Sequence, residues 1–404
     1  MNSEIANGFS NPFEPFDDDF AVSWVRAVYA NRLQVFLDRW SSVLENHAEG
    51  LSRVLRNFAD LIPLNTDGLA IREIFWHPFC NLAPIDEVDT DSRSAALARA
   101  MQFALRLSEF DPGIAAAVSL PKPVSLGFSV YKLPAAAKVR LSGHDLVRRI
   151  DVYVSNCWQT FVFEQQASNW FLPMGDAYKQ PYVCFAGKRI MLYPLARSID
   201  APDAKVIAPN SSMVNVLQDS LDLIDRISPA YRRWIARMLR VVVPLRPVMG
   251  QYDSETFASL NGTAFISLHP DVIRTAETLV HEVSHDYLHV LNTMDPLADG
   301  SGVEVFFSPV RQCDRPTLAI LKAQHAFVNV LLFYYLLEMS GVRLDGHYVR
   351  GVAKLEAWRR QLEGSLSRAA SVTEFGDRIW RSLAHRADQL QMLARSAEVA
   401  DAAF

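Results

Sequence analysis

The chain has 404 residues, of which half are hydrophobic and 21% are charged, and its formal net charge is −5. This composition is typical of a globular protein with a large core, and it shows no excess of Lys and Arg that would indicate nucleic acid as a partner. Four cysteines without paired spacing argue against a disulfide framework and favour a reducing, cytoplasmic location.

In the first two thirds of the chain, a predicted helical region is followed by a predicted mixed region of strands and helices. Residues 1–20 are acidic and lack the apolar core of a secretory signal, so we expect a disordered N-terminus. Residues 21–123 have apolar residues three and four apart, which predicts a helical region, and residues 124–270 are predicted to be mixed α/β. The predicted strands are 126–131, 150–154, 160–164, 182–185, 189–193, 241–243 and 263–268, with helical spacing between 212 and 239.

The last third, residues 271–404, is predicted to be helical and to carry the functional site. Breaks are expected near Pro296, Pro316, Gly341 and Gly346. The longest apolar stretch, 326–339, is too short to span a bilayer, so no membrane partner is expected. We therefore predict an α+β fold dominated by helices, with a small mixed sheet.

The strongest chemical signal is the segment His281-Glu282-Val283-Ser284-His285. Residues four apart lie on one face of a helix, where two imidazoles can bind one metal ion. The predicted strand 263–268 leads into Pro270 and Asp271, which are typical of the first turn of a helix. The spacing predicts a metal site on this helix, with His281 and His285 as ligands.

Three residues are candidates for the third metal ligand. His289 lies about 12 Å along a straight helix from His281, which is too far to bind the same ion. Glu304 has the spacing of peptidases with a carboxylate ligand, although the residues after it favour a strand or loop. His325 lies inside a long apolar helix, and we favour it over Glu304.

The motif alone is compatible with three classes of protein. In a zinc peptidase, Glu282 would take a proton from a zinc-bound water whose pKa is lowered to about 7. A redox-active metal would use the same two histidines for a different reaction, since helix spacing does not distinguish the ions. The third class is a metal-bearing binding protein without catalysis, which would have a closed coordination sphere.

Residues 254–336 resemble the HExxH-motif peptide-modification proteins, which are encoded beside precursors of ribosomally synthesised, post-translationally modified peptides. Four segments carry the resemblance in order: Ser254 to Gly262, Leu279 to His285, Ser308-Pro309-Val310-Arg311 continuing to Arg315-Pro316, and His325-Ala326-Phe327. The segments 348–370 and 375–399 are similar to the closing helical hairpin of that family. Lys322 stands where the family often has a histidine.

The resemblance implies an iron(II)- and 2-oxoglutarate-dependent hydroxylase that modifies a side chain in a ribosomally made precursor peptide. It implies iron ligation by His281, His285 and His325, with Glu282 beside the metal. Arg311 or Arg315 would bind the distal carboxylate of 2-oxoglutarate, because guanidinium matches carboxylate geometry. The alternative is a zinc-dependent metallopeptidase with Glu282 as general base.

The expected location of the metal is between the motif helix and the helix of His325. No run of eight alternating strands surrounds the motif, so we do not expect the double-stranded β-helix that is usual for 2-oxoglutarate oxygenases. A modest sheet with an exposed edge would allow a substrate peptide to add as a further strand.

Overall fold

The computed structural model describes residue 56, the strands between Ala116 and Phe171, residues 181–192, and residues 205–401 apart from 259 and 261. Its side chains are described within 181–192 and 205–394. The predictions for the N-terminus 1–20, for most of the helical region 21–123 and for strand 126–131 lie outside these residues.

The strands between Ala116 and Phe171 form an antiparallel sheet and a separate hairpin. They are β1 (Ala116–Ser119), β2 (Val124–Ser125), β3 (Lys132–Leu133), β4 (Lys138–His144), β5 (Val147–Val154), β6 (Cys157–Gln166) and β7 (Asn169–Phe171). The sheet has the order β1-β4-β5-β6-β7, and β2 pairs with β3. The predicted strands 150–154 and 160–164 lie within β5 and β6 and are confirmed.

A second, mixed sheet lies next to the motif helix. It contains β8 (Tyr182–Phe185), β9 (Lys188–Leu192), β10 (Val241–Pro244), β11 (Ser254–Glu255) and β12 (Thr263–Ile266), in the order β11-β12-β10-β9-β8. The central strand β10 runs parallel to β9 and β12, while β8 and β11 pair antiparallel at the two edges. Every residue of β10 and β12 is buried, as is usual for parallel strands covered on both faces.

Six helices of eight residues or more are described in the second half of the chain. They are α1 (Ser211–Ile227), α2 (Pro229–Met238), α3 (Val272–Met294), α4 (Thr317–Met339), α5 (Gly346–Leu366) and α6 (Glu374–Asp401). The helical span predicted at 212–239 is divided at Ser228, which is extended and whose hydroxyl accepts from Tyr231 N. Pro229 suits the first position of α2 because it has no N–H to satisfy there.

The motif helix α3 begins where the sequence predicts it. The Asp271 carboxylate accepts hydrogen bonds from Ile273 N (2.9 Å) and Arg274 N (3.3 Å), which caps the first turn. Further along, the Tyr287 ring stacks on Trp234 of α2 at 4.7 Å, and its hydroxyl donates to Trp234 O at 2.8 Å. These contacts define which face of α3 is turned towards the core.

Between α3 and α4 the chain is a hairpin rather than a helix. Strands β13 (Val305–Ser308) and β14 (Cys313–Pro316) pair antiparallel, so the expected breaks at Pro296 and Pro316 mark the two ends of a non-helical segment. The loop before it is tightly packed against α6, because a Cβ added at Gly376 would overlap the carbonyl oxygen of Leu297.

Helix α4 is the centre of the helical layer. It packs against α3, α5 and α6, and the Tyr231 hydroxyl donates to its Asn329 O at 2.6 Å. Among the described residues it is the one helix long and apolar enough to cross a membrane, but 83% of its most apolar window is buried inside the protein. That burial is typical of a core helix.

The architecture confirms the predicted dominance of helices and the small mixed sheet. The strands that the structure describes form open sheets and hairpins and no barrel. The sheet edge at β11 lies beside α3, so the mixed sheet positions one side of the motif helix.

Candidate metal centre

The two motif histidines face one another one turn apart on α3. Their Nε2 atoms are 3.1 Å apart, and their rings meet edge to face with centroids at 4.7 Å. The His281 side chain is 29% exposed, so this face of the helix is open to solvent at one end. The arrangement is the one that the i, i+4 spacing predicts for two imidazoles directed at a common ion.

Both histidines are neutral at physiological pH. Burial lowers the pKa of His281 to about 4. Burial also lowers the pKa of His285 well below its usual value, and His281, His289, His325 and Lys322 add to that shift. Neutral imidazoles have a free nitrogen lone pair, which metal ligation requires.

His325 lies on α4 and is completely buried. Burial lowers its pKa to about 3, while the adjacent backbone of Ser284 on α3 opposes the shift. The contact with Ser284 is a weak hydrogen bond, and neither ring nitrogen makes one of ordinary geometry. Unsatisfied buried polar atoms cost about 1–3 kcal/mol, so a ligand for this imidazole would stabilise the site.

The residues fit a metal at two of the three predicted positions. Within the described part of the chain, no three His, Cys, Asp or Glu side chains converge closely enough to hold an ion. His281 and His285 form a ready pair, and His325 is close enough to shift the pKa of His285. The third ligand therefore stays a prediction.

Glu304 is occupied by other partners. Its Oε1 accepts from Ala370 N at 3.1 Å, and its Oε2 accepts from Ser371 N at 2.8 Å and from Ser371 Oγ at 2.5 Å. The hydrogen bond from the Ser371 hydroxyl is the main cause that lowers the Glu304 pKa. Both carboxylate oxygens thus anchor the loop that precedes α6.

Glu282 is buried beside His281. Only 1% of its side chain is exposed, and its Oε1 is 4.0 Å from His281 Nε2. Burial raises its pKa to about 7, while the hydroxyls of Ser254 and Thr256, on and after the edge strand β11, oppose the rise. A pKa close to 7 is suited to general acid–base catalysis.

Asp286 is a buried carboxyl that sequence reasoning missed. It is fully buried one turn after Glu282, and its Oδ2 accepts from Gly262 N at 3.1 Å. Burial raises its pKa well above the usual value, and Glu282 raises it further. The i, i+4 spacing of the two acids was visible in the sequence and could have indicated a shared buried face.

The two predicted arginines have different surroundings. Arg311 is exposed in the turn of the hairpin, whereas Arg315 is partly buried on β14. Arg315 lies directly opposite Phe306 on β13, and Phe306 packs against the core. Opposed residues of an antiparallel pair point to the same face, so Arg315 lies on the inner face of the hairpin.

Lys322 interacts electrostatically with both Arg315 and His285. It is partly buried, and burial followed by the nearby Arg315 lowers its pKa. Lys322 in turn is among the groups that lower the pKa of His285. The side of the site that faces the hairpin is therefore positively charged.

Comparison with known families finds no matching family model, and comparison with curated proteins finds no match.

Proposed function

We propose that this protein is a cytoplasmic iron(II)- and 2-oxoglutarate-dependent hydroxylase of a side chain in a ribosomally made precursor peptide. The observation that carries the proposal is the combination of a neutral histidine pair with two cations beside it. The histidine pair is suited to a divalent metal, and the cations are suited to a co-substrate with two carboxylates.

The metal ligands in this proposal are His281, His285 and His325. His325 is preferred to Glu304 because its imidazole is buried beside the backbone of Ser284 on α3 and is kept neutral by that burial, whereas both oxygens of Glu304 anchor the loop before α6. When bound, iron(II) with 2-oxoglutarate supplies the oxidising chemistry, and the chain supplies ligands, orientation and a site that is partly closed to water.

Arg315 is preferred to Arg311 as the residue that binds the distal carboxylate. Its position opposite Phe306 directs it to the inner face of the hairpin, and it is close enough to Lys322 to repel its charge. An exposed cation in a turn, such as Arg311, would be screened by solvent and would contribute little.

A zinc metallopeptidase is the second candidate, and Glu282 is the observation that favours it. A buried carboxyl with a pKa of about 7, at 4.0 Å from His281 Nε2, has the properties of a general base. The edge strand β11 beside it offers a place for an extended peptide.

The deciding experiment uses metal-free protein to which iron(II) is added under nitrogen. We expect 2-oxoglutarate to produce a visible charge-transfer band, and oxygen with a substrate peptide to yield succinate and a peptide heavier by one oxygen atom. Restoration of activity by zinc, indifference to 2-oxoglutarate and a cleaved peptide would refute the hydroxylase and establish the peptidase.

The variant Glu282→Gln separates the two mechanisms independently. A peptidase without its general base should lose about 10²–10⁴-fold in activity. In the hydroxylase, Glu282 acts only by positioning the histidines, and we expect a loss of no more than about 10–100-fold. Metal content of the variant, measured in parallel, shows whether the loss arises from weaker metal binding.

A further inference from the structure

Lys322 is a partly buried cation on α4. Among the residues whose side chains are described, no carboxylate pairs with it, and the charged group that acts on it is Arg315, which has the same sign. Removing an ammonium group from water is unfavourable unless an opposite charge or hydrogen bonds compensate.

Another buried cation of the helical layer has carboxylate partners. Arg359 on α5 is 6% exposed, is bonded to Asp388 of α6 and has Glu363 at 3.6 Å. Asp388 and Glu363 therefore neutralise Arg359 within the chain. Lys322 has no such carboxylate partner among the described side chains, which leaves its ammonium group available to bind an anion.

The location of Lys322 shows where that anion would bind. It precedes His325 by three residues on α4, and residues three apart lie on the same side of a helix. The hairpin carrying Arg315 packs against the same helix, with Arg315 on its inner face. Lys322 and Arg315 thus lie on two elements that pack together, and Lys322 interacts electrostatically with both Arg315 and His285.

We propose that Lys322 and Arg315 form a carboxylate-binding site beside the histidine pair, and that it holds the distal carboxylate of a small dicarboxylate co-substrate. This inference rests on the proposed hydroxylase function and assigns Lys322 a role in it. An acidic side chain of the substrate peptide has the same chemistry, so the test includes both sources.

The test measures binding by calorimetry, with zinc-loaded protein as the redox-silent form. The probes are 2-oxoglutarate, succinate, and an alanine-rich hexapeptide with one aspartate, compared with the same peptide containing asparagine. We expect Lys322→Gln to weaken binding of 2-oxoglutarate and succinate about tenfold or more, because a charge-assisted hydrogen bond is lost. Lys322→Arg should restore most of the affinity.

Two controls separate this result from a folding defect. Zinc content and thermal unfolding of Lys322→Gln should match the wild type, and Arg343→Gln, which removes an exposed cation after α4, should bind the dicarboxylates normally. If Lys322→Gln does not fold, Lys322→Met provides a neutral side chain of similar length for the same measurement.

The possible results separate failure of the proposed carboxylate-binding site from failure of the proposed hydroxylase function. Unchanged affinity of the lysine variant for all carboxylate probes would overturn the site, even if the wild type binds 2-oxoglutarate. Loss of affinity for the aspartate peptide alone would overturn the co-substrate assignment and make the site a peptide-binding one. A wild type that cleaves peptides and binds no dicarboxylate would refute the hydroxylase, and the peptide arm would still test Lys322.

Discussion

Replacing Tyr334 by phenylalanine should loosen the connection between the two helices that carry the histidines. The Tyr334 hydroxyl on α4 donates to Glu277 Oε2 on α3 at 2.7 Å, one turn before His281. Burial raises the pKa of Glu277, and the Tyr334 hydrogen bond opposes that rise. A hydrogen bond to a charged group is worth about 1.5–3 kcal/mol, so we expect that loss in the free energy of unfolding at pH 7.

The loss of unfolding free energy caused by Tyr334→Phe should be larger at neutral pH than at acidic pH. The folded-state pKa of Glu277 is raised, so the unfolded chain ionises first, and Glu277 opposes folding as pH rises above its unfolded value. Tyr334 reduces this penalty by stabilising the carboxylate. The loss caused by Tyr334→Phe should therefore be largest at pH 7 and should fall to about 0.5–1.5 kcal/mol near pH 4, where the carboxyl is neutral.

Urea unfolding at both pH values, followed by tryptophan fluorescence, measures these differences. The control is the same substitution in a Glu277→Gln background, where the acceptor is neutral at every pH and the pH dependence should disappear. An equal cost at pH 4 and pH 7, or a cost below about 0.5 kcal/mol at pH 7, would contradict the assigned role of the hydrogen bond.

Three further predictions follow from the positions of individual residues. His285→Ala should abolish metal binding, whereas His289→Ala should retain most of it. Metal analysis of the purified variants measures both. Full loss of metal in His289→Ala would mean that α3 is distorted when metal binds. Glu304→Ala should lower the thermal unfolding temperature and leave metal content unchanged, and loss of metal would restore it as a candidate ligand. Gly376→Ala should destabilise the protein by more than about 1 kcal/mol because its new methyl group overlaps a loop carbonyl, whereas Gly364→Ala, with open space around it on α5, should be neutral or stabilising by thermal denaturation.

The parts of the site that could be predicted from the sequence depend on local geometry. His281 and His285 are brought together by the pitch of a helix, and the start of that helix is set by Asp271, which bonds to the next turn. Both effects act within four residues. For the same reason the hairpin strand after Glu304 could be recognised from its β-forming residues.

The remaining features depend on contacts between distant segments. Glu304 bonds to Ser371, which is 67 residues away, and no local pattern indicates that pairing. The inward direction of Arg315 follows from the register of the hairpin, since a shift by one residue would turn it to the other face. The burial of Asp286 against Gly262 likewise requires the sheet to be in place.

The central position of α4 has a consequence for the synthesis of the protein. Most of its 23 residues are apolar, and two of the helices that cover it, α5 and α6, follow it in the chain. A ribosome therefore releases α4 before its covering helices exist, and the nascent chain carries an exposed apolar helix during that interval. Substitutions that slow the docking of α5 or α6 should reduce the yield of soluble protein even where they leave the histidine site untouched.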